Sequence, residues 1–380
     1  MAAQYRVIQD GVKAFIPRFA LGQIDISDDD KHLLAEARGE LGTLNGICAG
    51  LTGRGLGVAV YSLLTREATA SSRIEGTTAS FSDALAFGAQ PRLFPPDHDV
   101  REVSNYVEAA SMGFRVLDGG ELPLCWRVIR QLHARLLSGV RGAQRDPGQW
   151  RGGQVHVGAV RIEDAVYVPP PADEMPDLLS SLERYMHSPV PVDPLIRCGV
   201  IHAQFELIHP FLDGNGRIGR LLVSLYLKHS GLLDEPVLVL SEYFERNRAE
   251  YYEALASISR TCEWKRWLHF FMLAVAEQAR KRAGICRKQI QLYEEFKLRL
   301  RVRERSGRGR RPAYYEQALD VVFQRVVVTR RLLVDHVRMT MPTARSLVDR
   351  FVEEGILALM ETKGGEHLFV CQQLLDLIAE

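Results

Sequence analysis

The sequence predicts a mainly α-helical protein with two short β-hairpins, one mid-chain and one near the end. Three observations predict it. Apolar residues recur at helical spacing in run after run, as over 194–208, where Leu195, Ile196, Val200, Ile201, Phe205, Leu207 and Ile208 fall. Strand-like alternation is confined to short runs at 154–158, 165–168, 356–360 and 367–371. Proline and glycine punctuate the chain between these runs, at Ile16-Pro17, 91–96 and 169–171.

Bulk properties exclude some classes. With 48 Lys+Arg against 47 Asp+Glu the net charge is +1, so no global field steers the chain toward nucleic acid or a membrane. Six cysteines (Cys48, Cys125, Cys198, Cys262, Cys286, Cys371) lack a CxxC or zinc spacing and read as reduced thiols of a cytoplasmic protein. Residues 1–10 hold no signal-peptide apolar core, and no apolar run reaches the ~18 residues that span a bilayer. A length of 380 residues suggests two or three domains.

Taken in order, 1–97 reads as an N-terminal helical region. Within it the run Glu-Ala-Thr-Ala-Ser-Ser-Arg-Ile-Glu-Gly, 67–76, is helix-compatible and stops at Gly76. Helices follow over 122–138 and 175–186. Between them, Gln154-Val155-His156-Val157-Gly158 and Ala165-Val166-Tyr167-Val168 flank a polar turn from Arg161 to Asp164, a hairpin pattern that Pro169-Pro170-Pro171 terminates. His156 reads as an exposed hairpin residue, with no second His or Cys at ligand spacing.

The helix over 194–208 should stop at His209, because Pro210 biases that residue out of helical geometry. A histidine at a helix C-terminus gains about 0.3–1 kcal/mol as imidazolium from the dipole, which suits a general base. In Asp213-Gly214-Asn215-Gly216, Gly214 and Gly216 permit positive φ and turn backbone amides toward one concavity. A helix starting near Arg217 and carrying Ile218, Leu221, Leu222, Leu225 and Tyr226 inward makes that loop an anion site. Arg217 and Arg220 lie three apart and can address one polyanion. Asp213 offers a hard oxygen to a Mg²⁺ held partly by phosphate. These parts together describe phosphate chemistry with a base facing a polyphosphate.

Downstream, Tyr251 and Tyr252 could stack on a base or sit in the core, and periodicity leaves both open. From 280 to 311 the chain has thirteen Lys/Arg against three Glu; 285–300 keeps helical spacing, and 305–312 reads as a linker. Helices at 314–326, 329–337 and 342–354, then strands at 356–360 and 367–371 around Lys363-Gly364-Gly365, make a winged helix. Its third helix, with Arg345 and Arg350, would be the reader if DNA is bound. Yet 312–380 holds seven Lys/Arg against ten Asp/Glu, poor for phosphate contacts, so a docking or dimerisation module stays open.

The string from His209 to Arg220 matches the signature His-Pro-Phe-x-Asp/Glu-Gly-Asn-Gly-Arg-x-x-Arg, and the chain resembles the Fic family. The resemblance implies four parts: an N-terminal helical region with an inhibitory helix (1–97), a Fic-type helical core with a β-hairpin flap (98–278), a basic helix and linker (279–311), and a C-terminal winged helix-turn-helix (312–380). It implies transfer of AMP from ATP to a Ser, Thr or Tyr hydroxyl of a target protein, with His209 taking the proton. Asp213 would hold Mg²⁺ on the α- and β-phosphates, Gly214, Asn215 and Gly216 would form the anion hole, Arg217 would hold phosphates, and Arg220 would bind the γ-phosphate. Val157 and Gly158 match flap positions near the nucleotide, and the flap edge would pair with the target by strand addition. Tyr251 and Tyr252 match an adenine-lining pair, while Ser259 stands where some relatives place an adenine-contacting Asn.

The segment Ser71-x-x-x-Glu75-Gly76 resembles the family's inhibitory motif, in which the Glu pairs with the second motif arginine, here Arg220. A carboxylate on that fork competes with the γ-phosphate for the same donors. The reading is an autoinhibited AMP-transferase whose partners are ATP, Mg²⁺, a hydroxyl-bearing protein and a second copy of the chain, as target or in a homodimer. A nucleotide-sensing winged-helix regulator, and a Fic enzyme with another nucleotide donor or AMP-removing activity, remain alternatives.

Overall fold

Apolar residues at helical spacing give helices through most of the chain, and the computed structural model describes residues 4–8, 11–18, 26–52, 60–93, 98–120, 122–305, 314–363 and 365–380. The first elements correct the expected all-helical start: β1 (Tyr5–Val7) pairs antiparallel with β2 (Lys13–Phe15), Tyr5 opposite Phe15. Three-residue strands are too short for alternation to announce. Then come α1 (Asp28–Thr52), α2 (Val60–Ile74) and α3 (Phe81–Ala89). Asp28, Asp29 and Asp30 sit in the first turn of α1, where the helix dipole favours negative charge. Ser80 caps α3, its hydroxyl accepting from the Asp83 N–H at 3.1 Å.

The middle of the chain is α4 (His98–Gly119), α5 (Trp126–Leu136), α6 (Met175–Met186), α7 (Pro194–Ile208), α8 (Asn215–His229), α9 (Leu240–Arg246), α10 (Arg248–Thr261) and α11 (Lys265–Arg305). Helix α7 begins with Pro194 in its first turn and the Asp193 carboxylate accepting from Leu195 N–H at 2.8 Å, and it is buried on nearly every side. It packs against α6, α8, α10 and α11. At Gly199 a Cβ would come 2.9 Å from Phe271 and 3.2 Å from Leu268, so the glycine is what lets α11 close on α7. Trp267 Nε1 donates to the Gly199 carbonyl at 2.8 Å across the same contact.

Helix α11 runs unbroken for 41 residues and lies along α1, so the boundary expected between 278 and 279 falls inside one helix. Most of the expected linker, 306–312, is outside the described residues. The tail is α12 (Tyr314–Arg325), β3 (Val327–Thr329), α13 (Arg330–Val337), α14 (Met341–Glu353), β4 (Ala358–Lys363), β5 (Glu366–Val370) and α15 (Gln372–Ala379). The expected hairpin gains a third strand, in the order β3-β5-β4, all antiparallel. Val326, at φ 64°, breaks the chain between α12 and β3, and its carbonyl accepts from Cys371 N–H at 2.9 Å.

The tail rests on α2. The Arg325 guanidinium lies 4.2 Å over the Tyr61 ring, and Arg66 Nη2 donates to the Ala379 carbonyl at 3.2 Å. Gln90, just past α3, donates to Glu366 at 2.8 Å.

The mid-chain hairpin is reduced to one bridge, Val157 opposite Tyr167, with Val157 N–H donating to Tyr167 O at 2.9 Å and Val166 N–H to Val157 O at 3.0 Å. Gly158 turns away at φ 87°, with Val166 filling the space a Cβ would need, and a 3₁₀ turn at Ile162–Asp164 takes the next residues out of extended geometry. His156, expected exposed, is half-buried.

The α7–α11 contact yields a stability prediction. Gly199→Val should lower unfolding free energy by about 1–3 kcal/mol in chemical denaturation, since two tightly packed helices must part to admit the side chain. Wild-type stability in that variant would mean the two helices can separate freely.

Candidate active site

Helix α7 ends as its sequence dictates, with His209 in the left-handed region at φ 51° and ψ 61°. Beside it opens a cavity of about 500 Å³. Its walls come from the turn after α2 (Glu75), the 157–167 flap and α10 (Tyr251, Tyr252), and its floor from the ends of α7 and α8.

His209 Nδ1 lies 3.3 Å from the Glu206 carbonyl. A carbonyl only accepts, so Nδ1 carries the proton and Nε2 keeps a lone pair. Burial pushes the imidazole down to about 4, with Arg151 adding to the effect while the Glu206 carbonyl, Glu75 and Asp213 oppose it. The dipole argument is thereby overturned: a fraction of a kcal/mol at a helix end loses to desolvation of the cation. At neutral pH the group is an uncharged base.

The loop between α7 and α8 is braced from several sides. His133 stacks on Phe211 at 3.7 Å, accepts from Gly148 N–H through Nδ1 at 2.8 Å, and so donates through Nε2 to the Asp213 carbonyl at 2.8 Å. Burial lowers His133 to about 4, keeping it neutral for that double role. Asn215 commits its side-chain amide to Phe211, accepting from its N–H and donating to its carbonyl, both at 2.8 Å.

Gly214 has φ 79°, as expected. Gly216 does not: it is helical, since α8 starts at Asn215, two residues ahead of the expected start near Arg217. Its requirement is space, because a Cβ there would lie 2.3 Å from Glu75 Oε1.

The first intrahelical bond of α8 is Ile218 N–H to Gly214 O at 3.0 Å, which leaves the amides of 215–217 outside the helix ladder. Asp213 Oδ1 accepts from Gly214 N–H at 2.6 Å and from Arg217 Nη2 at 3.3 Å.

The two arginines of α8 diverge. Arg217 is 1% exposed, donates also to Glu102 at 3.2 Å, and is not in the cavity wall. Arg220 borders the cavity; its Nε donates to Ser71 Oγ at 2.8 Å, and its Nη2 to Ser71 O at 3.0 Å and Glu75 Oε1 at 2.7 Å. Burial alone would depress Arg220, but Glu75, Tyr251 and Glu206 outweigh it and hold the guanidinium up. Burial likewise works against the Glu75 carboxylate, and Arg220 overcomes it, leaving the group below its usual range. The turn bearing Glu75 pivots at Gly76, φ 93°, and is fastened to α4: Thr77 Oγ1 donates to Glu102 at 3.0 Å, and Thr78 N–H and Oγ1 to Asp99 at 2.7 and 2.6 Å.

Of the aromatic pair, Tyr251 is buried, stacked on Phe244 at 4.5 Å, with its hydroxyl 2.9 Å from His202 Nε2. Tyr252 is 42% exposed, with the Arg248 guanidinium 5.7 Å over its ring. Both border the cavity, as do Val157 and Gly158. Ser259 instead offers its carbonyl to Tyr5 Oη at 2.7 Å.

Four site residues escape a reading of the sequence. His133, Arg151 and Glu102 act on partners 80, 58 and 115 residues away, and nothing local marks them. Glu206 had a signal, its place one turn before His209 on the same helix face. It borders the cavity, burial pushes its carboxyl up to about 7, and Oε1 has no hydrogen-bond partner among the described residues.

The model of the Fic/DOC family matches residues 123–227, and that of the Fic/DOC family N-terminal region matches 32–115. The chain is similar to a probable protein adenylyltransferase, aq_aa38, of Aquifex aeolicus (strain VF5), 34% identical over 110 residues, 28% of this chain and 32% of that protein. It is also similar to protein adenylyltransferase fic-1 of Caenorhabditis elegans, 34% identical over 187 residues, 48% of this chain and 34% of that one. The chain thus spans about a third of the length of these curated relatives. Among solved structures, a Fic family protein from Desulfovibrio desulfuricans G20 superposes with TM-score 0.57 at 19% identity, covering 91% of this chain and 97% of that one. C. elegans Fic-1 (134–508) gives 0.54 at 21%, covering 70% and 73%. These two likenesses concern the fold alone.

The raised Glu206 carboxyl sets a pH dependence. Its folded value, about 7, lies above an unfolded value near 4.3, so the stability it allows is intact below pH ~4 and declines as pH rises through 7. Glu206→Gln removes that ionisation. Its unfolding free energy relative to wild type should be more favourable at pH 8 than at pH 5 by about 2 kcal/mol. An equal difference at both pH values would show that the carboxyl ionises without cost.

Proposed function

This chain belongs to the Fic/DOC family, and on that premise we propose that it is a protein adenylyltransferase held inactive by Glu75. The observation that carries the reading is Arg220, hydrogen-bonded to Ser71 and Glu75 at the edge of the cavity that His209 borders. A general base, a set of free helix-start amides and a deep guanidinium meet there, and the guanidinium's donors are taken by an internal carboxylate.

In the proposed reaction ATP lies with its purine between the flap, at Val157 and Gly158, and α10, at Tyr251 and Tyr252. Its phosphates face the loop at Gly214, Asn215 and Gly216, where the free amides of 215–217 at a helix start favour anions. His209 Nε2 takes the proton of a Ser, Thr or Tyr hydroxyl as that oxygen bonds to the α-phosphorus. The bond from that phosphorus to the bridging oxygen breaks, and pyrophosphate leaves. Arg220 holds the γ-phosphate and so orients the leaving group for in-line attack. Arg217, tied to Asp213 and Glu102, stiffens the loop and adds positive charge beneath the phosphates.

Asp213 is the residue that would hold Mg²⁺. Among the described residues no cluster of three or more His, Cys, Asp or Glu makes a metal cage. One carboxylate at the loop suits an ion that takes most of its ligands from phosphates and water. When bound, the ion neutralises charge on the α- and β-phosphates. With Glu75 on Arg220 the γ-phosphate lacks its donors, and bound ATP adopts a pose unsuited to attack. The target would present its hydroxyl by pairing with the flap edge.

A second reading, a nucleotide-sensing regulator, is favoured by one observation: α2, which carries Ser71 and leads into Glu75, also packs on the tail through Tyr61 and Arg66. We read the tail as a winged-helix module. Arg350 is tied to Glu354 at 3.2 Å and Arg330 to Asp349 at 3.3 Å, which suits a protein-docking or dimerising role better than DNA contacts. A third, another nucleotide donor or removal of AMP, draws on the Glu75 carboxylate, which near phosphates can orient a water. No helix among the described residues is long and apolar enough to cross a membrane.

Mass spectrometry of protein incubated with Mg²⁺ and ATP tests the reading. Glu75→Gly should gain an AMP-sized increment, on itself or on a protein of an added lysate, at least tenfold above wild type. Glu75→Gly/His209→Ala should gain none while keeping its melting temperature within a few degrees. Glu75→Gly/Arg220→Ala should need more ATP. An increment from GTP, UTP or CTP but not ATP would move the protein to the alternative donor class, and none from any nucleotide would sink the transferase reading.

A further inference from the structure

Arg151 is 2% exposed, and among the described residues no carboxylate pairs with it. Its side-chain hydrogen bonds all go to carbonyls: Nε to His209 at 2.8 Å, Nη1 to Gly153 at 2.9 Å, Nη2 to Pro170 at 2.5 Å and, longer, to Ile208 at 3.4 Å. Its own backbone N–H donates to the Pro210 carbonyl at 3.0 Å. Desolvating a guanidinium without a counter-ion is costly, and burial pulls this one down to about 10.

The carbonyls belong to two units. Ile208, His209 and Pro210 are the end of α7, where the base stands in left-handed backbone geometry that few non-glycine residues adopt. Gly153 and Pro170 are the entering and leaving legs of the flap. The flap itself has a single bridge; besides Arg151 it is held by Gln154 Nε2 donating to the Pro169 carbonyl at 2.9 Å and by Tyr167 Oη donating to the Leu207 carbonyl of α7 at 2.6 Å, and of these groups Arg151 alone reaches both flap legs and the His209 carbonyl.

We propose that Arg151 is a positioning residue that sets the distance and angle between His209 and the flap, and therefore between the base and the target hydroxyl. This rests on the transferase reading for its catalytic consequence, though not for its geometry. A guanidinium fork suits that role, because its five donors in one plane reach two chain segments at once, which the point charge of a lysine cannot do.

A second effect accompanies the first. The charge of Arg151 opposes a proton on His209; of the other groups acting there, the Glu206 carbonyl on α7, Glu75 after α2 and Asp213 in the loop favour it. Geometry and charge separate by substitution, since Arg151→Lys keeps the charge and loses the fork while Arg151→Gln loses both.

The experiment uses the full chain in the Glu75→Gly background, with ATP affinity by calorimetry, AMP incorporation by mass spectrometry, and His209 titration by NMR of labelled histidine. Both substitutions should cut turnover about a hundredfold, the scale of an ångström of misplacement, with ATP affinity changed less than threefold. The His209 midpoint should rise in Arg151→Gln and stay in Arg151→Lys. Turnover per folded molecule equal to the parent, or affinity lost in step with turnover, would overturn the proposal and leave Arg151 a plain structural arginine. If the parent binds ATP yet transfers nothing, the transferase reading has failed by itself. The arrangement is then read directly: a crystal structure of Arg151→Lys with His209 and the flap unmoved overturns the proposal, and a displaced base or flap upholds it.

Discussion

A buried guanidinium has to have its donors satisfied, and Arg220 imposes that constraint on the fold. Its 3% exposure leaves little contact with water, and its donors reach Ser71 and Glu75, on and just after a helix more than a hundred residues upstream in sequence. Removing one partner of such a pair leaves an uncompensated charge, so withdrawing Glu75 without a replacement anion is costly. Helix α2, which carries Ser71, buries many polar side chains. Its buried residues include Ser62, Thr65, Glu67, Thr69, Ser71 and Ser72, an unusually polar set for a helix packed inside a protein. Thr65 and Thr69 return their hydroxyls to their own helix at Tyr61 and Thr65, while Ser71 gives its hydroxyl oxygen to Arg220. Alongside them α2 buries Leu63, Leu64, Ala68 and Ile74, so its packing combines these hydrogen bonds with an apolar seam.

The same charges set the chemistry of the base. Burial and Arg151 hold His209 neutral, and Arg217 is pinned by Glu102 and Asp213, away from the cavity wall. Phosphates entering the cavity bring negative charge beside the imidazole, and nearby negative charge favours the protonated form. In the proposed reaction His209 would therefore gain basicity when the anionic substrate is bound.

What the sequence discloses is what local geometry decides. Pro210 ends α7, Gly76 turns the chain after α2, Gly214 opens the loop, and each of these is a residue acting on its own stretch of backbone. The Ser71–Glu75 spacing and the Arg220 position were legible as separate motifs, and the fold joins them at 2.7 Å. That pairing was expected from the family resemblance; other long-range consequences were not legible. β1 and β2 are three residues each and exist because they pair with one another, with Phe15 N–H donating to Val168 O at 3.0 Å at the foot of the flap. Gly216 reads as a turn glycine but serves as a gap for Glu75. Arg151 and His133 are ordinary residues in sequence, and their importance lies in what the chain brings back to them. His209 shows why a local argument can give the wrong sign: the dipole is visible in a sequence and burial is not.

The placement of α2 bears on how the lock could open. Fifteen helical residues span about 22 Å, and α2 touches the tail near its start while the turn that follows it touches Arg220. A rigid helix carries displacement from one end to the other, but displacement alone is not regulation. A ligand of the tail changes the occupancy of Arg220 only if it binds differently when Glu75 is docked and when it is withdrawn. Among the described residues such contacts include the Arg325 guanidinium on Tyr61 and the Arg66 bond to the Ala379 carbonyl. Linkage would make such a relation reciprocal: in the proposed enzyme a tail ligand that favours withdrawal of Glu75 would ease ATP onto Arg220, and ATP there would strengthen that ligand's binding by the same free energy.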